Sequence, residues 1–434
     1  DTFGHGTHLA AIIAGRDDQV PASSNYSGVS ADYFLGVAPD ARIVSIKVAD
    51  KDGATDVSQV IAAIDWVTQN KNSGDLNTRV LNLAFGTDST QSYVLDPLAY
   101  AVEKAWHAGI VVVVSAGNDG NNNALRNPAT DPYVIAVGAS DPNGTNPRTD
   151  DFVAEFSNCG TVDRHVDVVA HGRSITSLRA PGSSADVNHP DAVVENRMFL
   201  GSGTSQAAAV VSGVVALVLD AQPDLTPDEV KWILMDTAQT YGSSTALCQG
   251  AGAVDAFTAA YGKPPKGKHS ATQKHPLATG TGTLEASRGT DHLEHDGVVL
   301  SGEQDIMGSP WIGVSEWVTK CWKEGKGKNA VTVCEDYLEK VNTLWNGGDW
   351  NGTSWSGTSW SGTSWSGLSW SGTSWSGTSW SGLSWSGTSW SDMSWSGTSW
   401  SGTSWSGTSW SGTSWSGLSW SSSGSAGDQG LRWD

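Results

Sequence analysis

Ile110-Val111-Val112-Val113-Val114-Ser115-Ala116-Gly117-Asn118 is the stretch that decides the fold. Its β-branched run has no polar position, so it reads as a strand buried on both faces, and Gly117-Asn118 ends it in a turn. Working outward, Ile43 to Val48, Val80 to Leu83 and Val134 to Val137 are further short strand-like runs. They alternate with helical patterns over Val57–Thr68, where Val60, Ile61, Ile64 and Val67 share a face, and over Pro97–Ala108. Such alternation predicts an α/β fold, a parallel sheet covered by helices on both faces. A last helix is expected over Thr226–Thr237, with Thr226 as cap, Pro227 in the first turn and Glu229 closing a capping box.

Two words, far apart in the chain, carry chemistry: Gly4-His5-Gly6-Thr7-His8 and Gly201-Ser202-Gly203-Thr204-Ser205. The second runs into the apolar stretch Ala207–Leu219, which reads as a buried core helix. Ser212 and Gly213 interrupt it, and it falls short of the roughly 18 residues of a membrane span. Ser205 therefore stands at a helix N-terminus, where free N–H groups favour developing negative charge. A hydroxyl so placed, a histidine to take its proton and an amide such as Asn118 are the parts of a serine acyl-transfer enzyme. Each has an ordinary alternative: Ser205 as an N-cap, Asn118 as a turn residue, His5 as a plain core or surface histidine.

The order of these words resembles the subtilases, the subtilisin-like serine proteases of peptidase family S8. Asp1-x-x-Gly4-His5-Gly6-Thr7-His8-x-Ala10 matches the family's histidine motif, and Gly203-Thr204-Ser205 with Ala207 its serine motif. Other words fall in the family's order across residues 1–261: Gly36-Val37-Ala38-Pro39, Asn127-Pro128-Ala129, Phe156-Ser157-Asn158 and Gly252-Ala253-Val254-Asp255. The resemblance implies a subtilisin-like sheet, His5 as general base, Ser205 as nucleophile and Asn118 in the oxyanion hole. It implies His8 as structural, and Ala84, Phe85 and Gly86 with Ser115, Ala116, Gly117 and Gly203 as substrate-binding. Arg126, near where the family places the base of its specificity pocket, would favour an acidic or polar substrate side chain. Departures are Ala11 for Gly, Ala170-His171-Gly172 for Ala-Pro-Gly, Gln206 for Met and Ala209 for Pro. The triad Asp should precede the histidine, and Asp1 belongs to the histidine motif itself. The chain therefore reads as a fragment in which that Asp, and any leader, would lie before Asp1, and which by itself is expected to be nearly inactive.

The net charge of −20 argues against a nucleic-acid partner. No cofactor is expected. A structural calcium is compatible with the resemblance, but the polar stretch Arg16–Leu35 matches no ligand pattern. Residues 262–282, rich in Lys, Pro, Gly and Thr, read as a linker, and 283–345 as a small segment. Within it Val314, Trp317, Val318, Cys321 and Trp322, then Cys334, Tyr337, Leu338, Val341 and Leu344, read as a helical hairpin whose Cys321 and Cys334 are expected to pair. Residues 346–434 form a tail in which tryptophan recurs every five residues from Trp350 to Trp420, mostly as Gly-Thr-Ser-Trp-Ser. Five residues advance a helix by about 140° beyond a turn, which smears the indoles around it, and an odd period sends them to alternate faces of a strand. A solenoid with one side per repeat and an extended chain both survive.

Two functions remain open at this level. One is a secreted endopeptidase with peptide or protein substrates, extracellular or bound at the cell surface. The other is a subtilase-like scaffold that binds a glycan or cell-envelope ligand through its Trp repeats.

Overall fold

The computed structural model describes residues 1–313 with their side chains, apart from 23–24, 31, 146–147, 243, 267–270, 296–297 and 307, and with only the backbone of His295 and Val298. Beyond 313 it describes the backbone of strands at 317–324, 331–338, 343–344 and 349–350, and of strands within 354–422. Two units emerge, residues 1–45 with 64–291 and 319–337, and residues 46–63 with 292–318 and 338–434.

The first unit is built on a parallel sheet. Strands β1 (Val80–Leu83), β2 (Val111–Ser115) and β3 (Ile135–Asp141) lie side by side, with Val80 opposite Val111 and Val113 opposite Ile135. The two-residue β4 (Phe152–Val153) runs antiparallel to β3, and β5 (Val168–His171) parallel to it. Every residue of β2 is buried, as its unbroken valine run requires. Burying each such side chain contributes about 1.5–3 kcal/mol. A smaller antiparallel sheet sets β8 (Met198–Gly201) between β6 (Ile175–Leu178) and β7 (Val193–Val194). It hands the chain directly to the long helix described next.

Helices α2 (Val57–Asn70), α3 (Pro97–His107), α5 (Thr204–Ala221) and α6 (Pro227–Asp236) follow the sequence patterns, and α1 (His5–Ala14) and α4 (Ser184–Asn188) add to them. Asp96 caps α3 by accepting from Leu98 and Ala99 N–H, with Pro97 in the first turn. The capping box of Thr226 and Glu229 is formed at α6, and the buried Trp106 Nε1 donates to Asp228 in the same turn at 2.8 Å. Helix α5 lies across β1, β2, β3 and β5 and packs on α1. At 18 residues it is longer than its apolar run, because Thr204-Ser205-Gln206 form its first turn. Its length and mean hydropathy of 1.6 would suffice to cross a membrane, yet two thirds of it is buried among the sheet and helices, which marks a core helix. Cys159 and Cys248 form a disulfide.

Three expectations meet a different structure. Ile43–Val48 has strand composition but joins no ladder among the described residues, and Ile43 and Val44 are exposed; the described parallel sheet ends at β1, so no strand pairs with it there. Residues 271–291, read from sequence as the end of a linker (to 282) and the start of a small segment, lie along the first unit: Ala278 N–H donates to the Glu103 carboxylate (2.9 Å), Thr279 N–H to Val94 O (2.6 Å) and Gly282 N–H to Leu95 O (2.7 Å). Their polar composition serves main-chain pairing with a neighbour. Two strands, Trp317–Glu324 and Val331–Leu338, pair where a helical hairpin is predicted. Val318, Thr319, Val331, Thr332 and Val333 are β-branched, and apolar runs this short carry no decisive period. The side chains of Cys321 and Cys334, and with them their pairing, lie outside the described residues.

Helices α7 (Ala246–Gln249) and α8 (Ala256–Tyr261) follow, and α9 (Leu284–Arg288) lies within the strap formed by residues 271–291. In the second unit, Val57, Val60 and Ile61 are buried, as are Leu293, Leu300, Ile306 and Trp311, and Ile306 N–H donates to Ser58 Oγ. From Trp380 on, described repeat strands pair in parallel with Trp facing Trp: Trp380 with Trp400, Trp385 with Trp405, Trp390 with Trp410, Trp395 with Trp415 and Trp400 with Trp420. That register corresponds to four pentads between paired strands.

Candidate active site

Parallel pairing of β1 with β2 sets Leu83 opposite Val114, so Ala84-Phe85-Gly86 and Ser115-Ala116-Gly117 leave the sheet side by side at the strands' carboxyl ends. Open α/β sheets form their crevices at such ends. Helix α5 starts at the same place, because β8 delivers Gly201 just before it.

Asn118 is tied to that helix start. Its Oδ1 accepts from the Thr204 backbone N–H at 2.8 Å and from the Thr204 hydroxyl at 3.0 Å. The same hydroxyl accepts from Gly117 N–H at 3.2 Å. With its oxygen occupied, the amide turns its N–H groups the other way. A Cβ on Gly203 would stand 2.8 Å from Gln206 Oε1 and 3.5 Å from Asn118 Nδ2, so a side chain there would crowd the ground between Gln206 and the amide. Ser205 itself is buried in the first turn of α5.

His5 is the first residue of α1, after Gly4 in a left-handed conformation. Asp1 fixes this entry: its carboxylate accepts from Phe3, Gly4 and Thr7 N–H at 3.2, 2.9 and 2.6 Å. Asp1 is thus engaged with backbone, in keeping with its place in the histidine motif. Burial, and secondarily repulsion from His8, lower the His5 pKa to about 4, so its imidazole is neutral at neutral pH. A neutral imidazole is the form that can accept a proton. His8 packs behind it, with Nε2 at 3.1 Å from Phe199 O and its own carbonyl accepting from Ser177 Oγ at 2.8 Å.

The structure therefore hydrogen-bonds Asn118 and Gly117 to Thr204, which stands between Gly203 and Ser205 in the chain, and strand pairing brings residues 84–86 and 115–116 out of the sheet beside them. Among the described residues no hydrogen bond links His5 to Ser205 and none links a carboxylate to His5. Sequence reasoning missed Thr204, whose hydroxyl orients the amide; a threonine between Gly203 and Ser205 gives no hint of a partner 86 positions away. It also gave no role to Asn158, which donates to Asp119 and Ala124 O, accepts from Asp119 N–H, and so braces the turn that carries Asn118. Arg126, read from sequence as favouring an acidic or polar substrate side chain, is ion-paired: Nε and Nη2 meet both Asp119 oxygens at 2.7 and 2.8 Å.

Comparison with known proteins places the chain in a family. The profile of the Subtilase family, peptidase S8, matches residues 1–263. The chain is 37% identical over 263 residues to serine protease AprX of Bacillus subtilis (strain 168), covering 59% of this chain and 57% of that protein. It is 34% identical over 247 residues to subtilisin DY of Bacillus licheniformis, covering 56% of this chain and 73% of the relative. Among solved structures, fervidolysin from Fervidobacterium pennivorans, described as a keratinolytic enzyme related to subtilisin, aligns with TM-score 0.46 and 28% identity over 61% of this chain and 37% of its own. With its parallel sheet, its histidine and serine each at a helix start, and this match over residues 1–263, the chain belongs to the subtilase family.

Proposed function

We propose that the protein is a secreted serine endopeptidase. Ser205 Oγ attacks the scissile carbonyl, His5 takes the hydroxyl proton and returns it to the leaving amine, and Asn118 Nδ2 with the Ser205 backbone N–H holds the oxyanion. Ala84, Phe85 and Gly86 on one side, and Ser115, Ala116 and Gly117 on the other, flank an extended peptide, with Gly203 keeping the oxyanion space open. The observation that carries this reading is the Thr204 clamp on Asn118: an amide whose oxygen is fully engaged beside a helix-start serine has only its N–H groups to offer. Preorganised donors of this kind are usually the largest single contribution to acyl-transfer catalysis. The Cys159–Cys248 bridge supports export, since disulfides persist in oxidising compartments.

A triad carboxylate completes the mechanism by orienting and stabilising the imidazole. Among the described residues none bonds His5, so residues 1–434 alone are expected to hydrolyse peptides only weakly. The same observation favours a second reading, a binding scaffold acting through its Trp repeats on a glycan or cell-envelope ligand. The test is hydrolysis of a small peptide by residues 1–434, and by a chain extended with an N-terminal strand ending in Asp. The endopeptidase reading expects large activation on extension, block by a serine-directed phosphonate, and loss in Ser205→Ala. Equal turnover by Ser205→Ala would refute it.

A further inference from the structure

The strap that crosses the first unit ends against the wall of the cleft. Arg126 stands in that wall. Its Cβ lies 2.7 Å from where a Cβ on Gly86 would be, and its Cγ 2.7 Å from a Cβ on Gly117. The stem thus fills the gap between the two flanking segments, and glycine is required on both sides of it. Its backbone N–H donates to Ala116 O, which fixes the stem in register with the 115–117 segment.

The guanidinium beyond that stem is surrounded by carboxylates from two directions. Asp119, on the turn after Asn118, takes Nε and Nη2 in a bidentate pair at 2.7 and 2.8 Å, and this pairing holds its pKa down at about 2. Asp291, at the end of the strap, reaches Nη1 at 3.4 Å. The same Asp291 oxygen accepts from Asp88 N–H at 3.3 Å, two residues beyond Gly86. Asp88 returns the contact, with its carboxylate accepting from Thr290 N–H at 2.7 Å and from the Thr290 hydroxyl. Just behind, Thr87 Oγ1 donates to Ser287 O at 2.6 Å, in buried surroundings. Residues 287–291 are therefore laced to residues 87–88 by hydrogen bonds in both directions.

We propose that the strap is part of the substrate-binding wall, and that Asp291 together with Asp119 sets the specificity of this subsite by occupying Arg126, so that a basic or uncharged substrate side chain is favoured there over an acidic one. This rests on the peptide-binding reading of the cleft. Three carboxylates, Asp88, Asp119 and Asp291, face one guanidinium, so the subsite carries a net negative charge. A substrate carboxylate would have to displace an arginine fork already matched to Asp119, the strongest geometry available to it. A substrate ammonium would instead meet the carboxylate surplus. Asp291 is a positioning residue here, since it acts through Arg126.

The experiment measures binding and so does not depend on turnover. Full-length Ser205→Ala protein is titrated with three fluorescent peptides that differ only in Lys, Ala or Glu at the residue before the cleavage point. Dissociation constants are read by anisotropy at low and high salt, and repeated in Asp291→Asn, Asp291→Glu and Asp119→Asn backgrounds. Lys and Ala peptides should bind more tightly than Glu. Asp291→Asn should narrow the Lys-to-Glu ratio by about threefold, the scale of a partly exposed charge pair, with Asp291→Glu restoring it and salt compressing it. Asp119→Asn should narrow it further. An unchanged ratio in Asp291→Asn, with all peptides still bound, overturns the role of the strap and leaves the peptide cleft standing. Tighter binding of Glu than Lys by the parent overturns the charge assignment, and no binding of any peptide overturns the cleft itself.

Discussion

Replacing Asp96 by alanine should separate a packed strap from a loose one, because this single carboxylate ties three segments together. It is fully buried. Oδ1 caps α3 through Leu98 N–H (2.8 Å) and Ala99 N–H (3.2 Å), and accepts from Ser287 Oγ (2.9 Å) and Asn127 Nδ2 (3.2 Å). Oδ2 accepts from Gln91 Nε2 (3.0 Å) and more distantly from Ser89 Oγ (3.3 Å). Loss of the cap costs about 1 kcal/mol. Leaving the Ser287 hydroxyl without its acceptor in a buried site costs roughly 1–3 kcal/mol, and the weakened Asn127 amide adds about 1 kcal/mol. The sum for Asp96→Ala is about 3–5 kcal/mol. Asp96→Asn keeps a good capping oxygen but turns an NH2 toward the Gln91 and Ser89 donors, so its loss should be smaller, about 1–2 kcal/mol. Urea unfolding of full-length protein followed by tryptophan-independent far-UV dichroism measures both, with Ser287→Ala and the double variant completing a cycle. A loss below 1 kcal/mol in Asp96→Ala, or strict additivity with Ser287→Ala, would refute the claim that the strap shares one cooperative core with α3.

Other expectations follow from the same geometry. Breaking the Cys159–Cys248 bridge by Ser substitution should cost up to about 4.5 kcal/mol in the chain-entropy account, given a sequence separation of 89 residues; an unchanged urea midpoint under non-reducing conditions contradicts it. Thr204→Val removes the hydroxyl but keeps the backbone bond to Asn118, so kcat should fall about tenfold with KM nearly constant in an active chain, and a pure KM effect would speak against the clamp. The lowered pKa of His5 means that the unfolded chain binds a proton between roughly pH 6.5 and 4 while the folded chain resists it, so this residue's contribution to stability erodes as pH falls through that window. An NMR titration of the His5 ring with a midpoint at or above 6.5 would reverse the sign. Cutting the chain after Leu344 should abolish retention on cell-envelope glycans while small-peptide turnover persists, since the repeats hold no titratable side chain except Asp392; retention unchanged by the cut would exclude the repeats as its source.

The parts legible in the sequence are those where local chemistry and tertiary role coincide. Five successive β-branched residues from Ile110 could form little but a buried strand, and the Thr226-Pro227-Asp228-Glu229 start specified its helix down to the capping box. The local settings of Ser205, His5 and Asn118, two helix starts and a turn, were legible because such positions constrain their neighbours tightly. The rest depends on partners distant in the chain. Ile43–Val48 has the composition of a strand, but a strand exists only with a neighbour to complete its ladder, and composition cannot supply one. Residues 271–282 read as linker because what ties them down is polar, the N–H groups of Ala278, Thr279 and Gly282 donating to the Glu103 carboxylate, Val94 O and Leu95 O, which leaves no apolar periodicity to read. Arg126 is the sharpest case. By itself it announces a positive charge at a substrate wall. That charge is paired by Asp119, seven residues before it, and by Asp291, in the segment read from sequence only as a small one after a linker. A charge in a cleft is therefore a property of the whole neighbourhood, and here the neighbourhood includes a strap that the catalytic motifs do not mention.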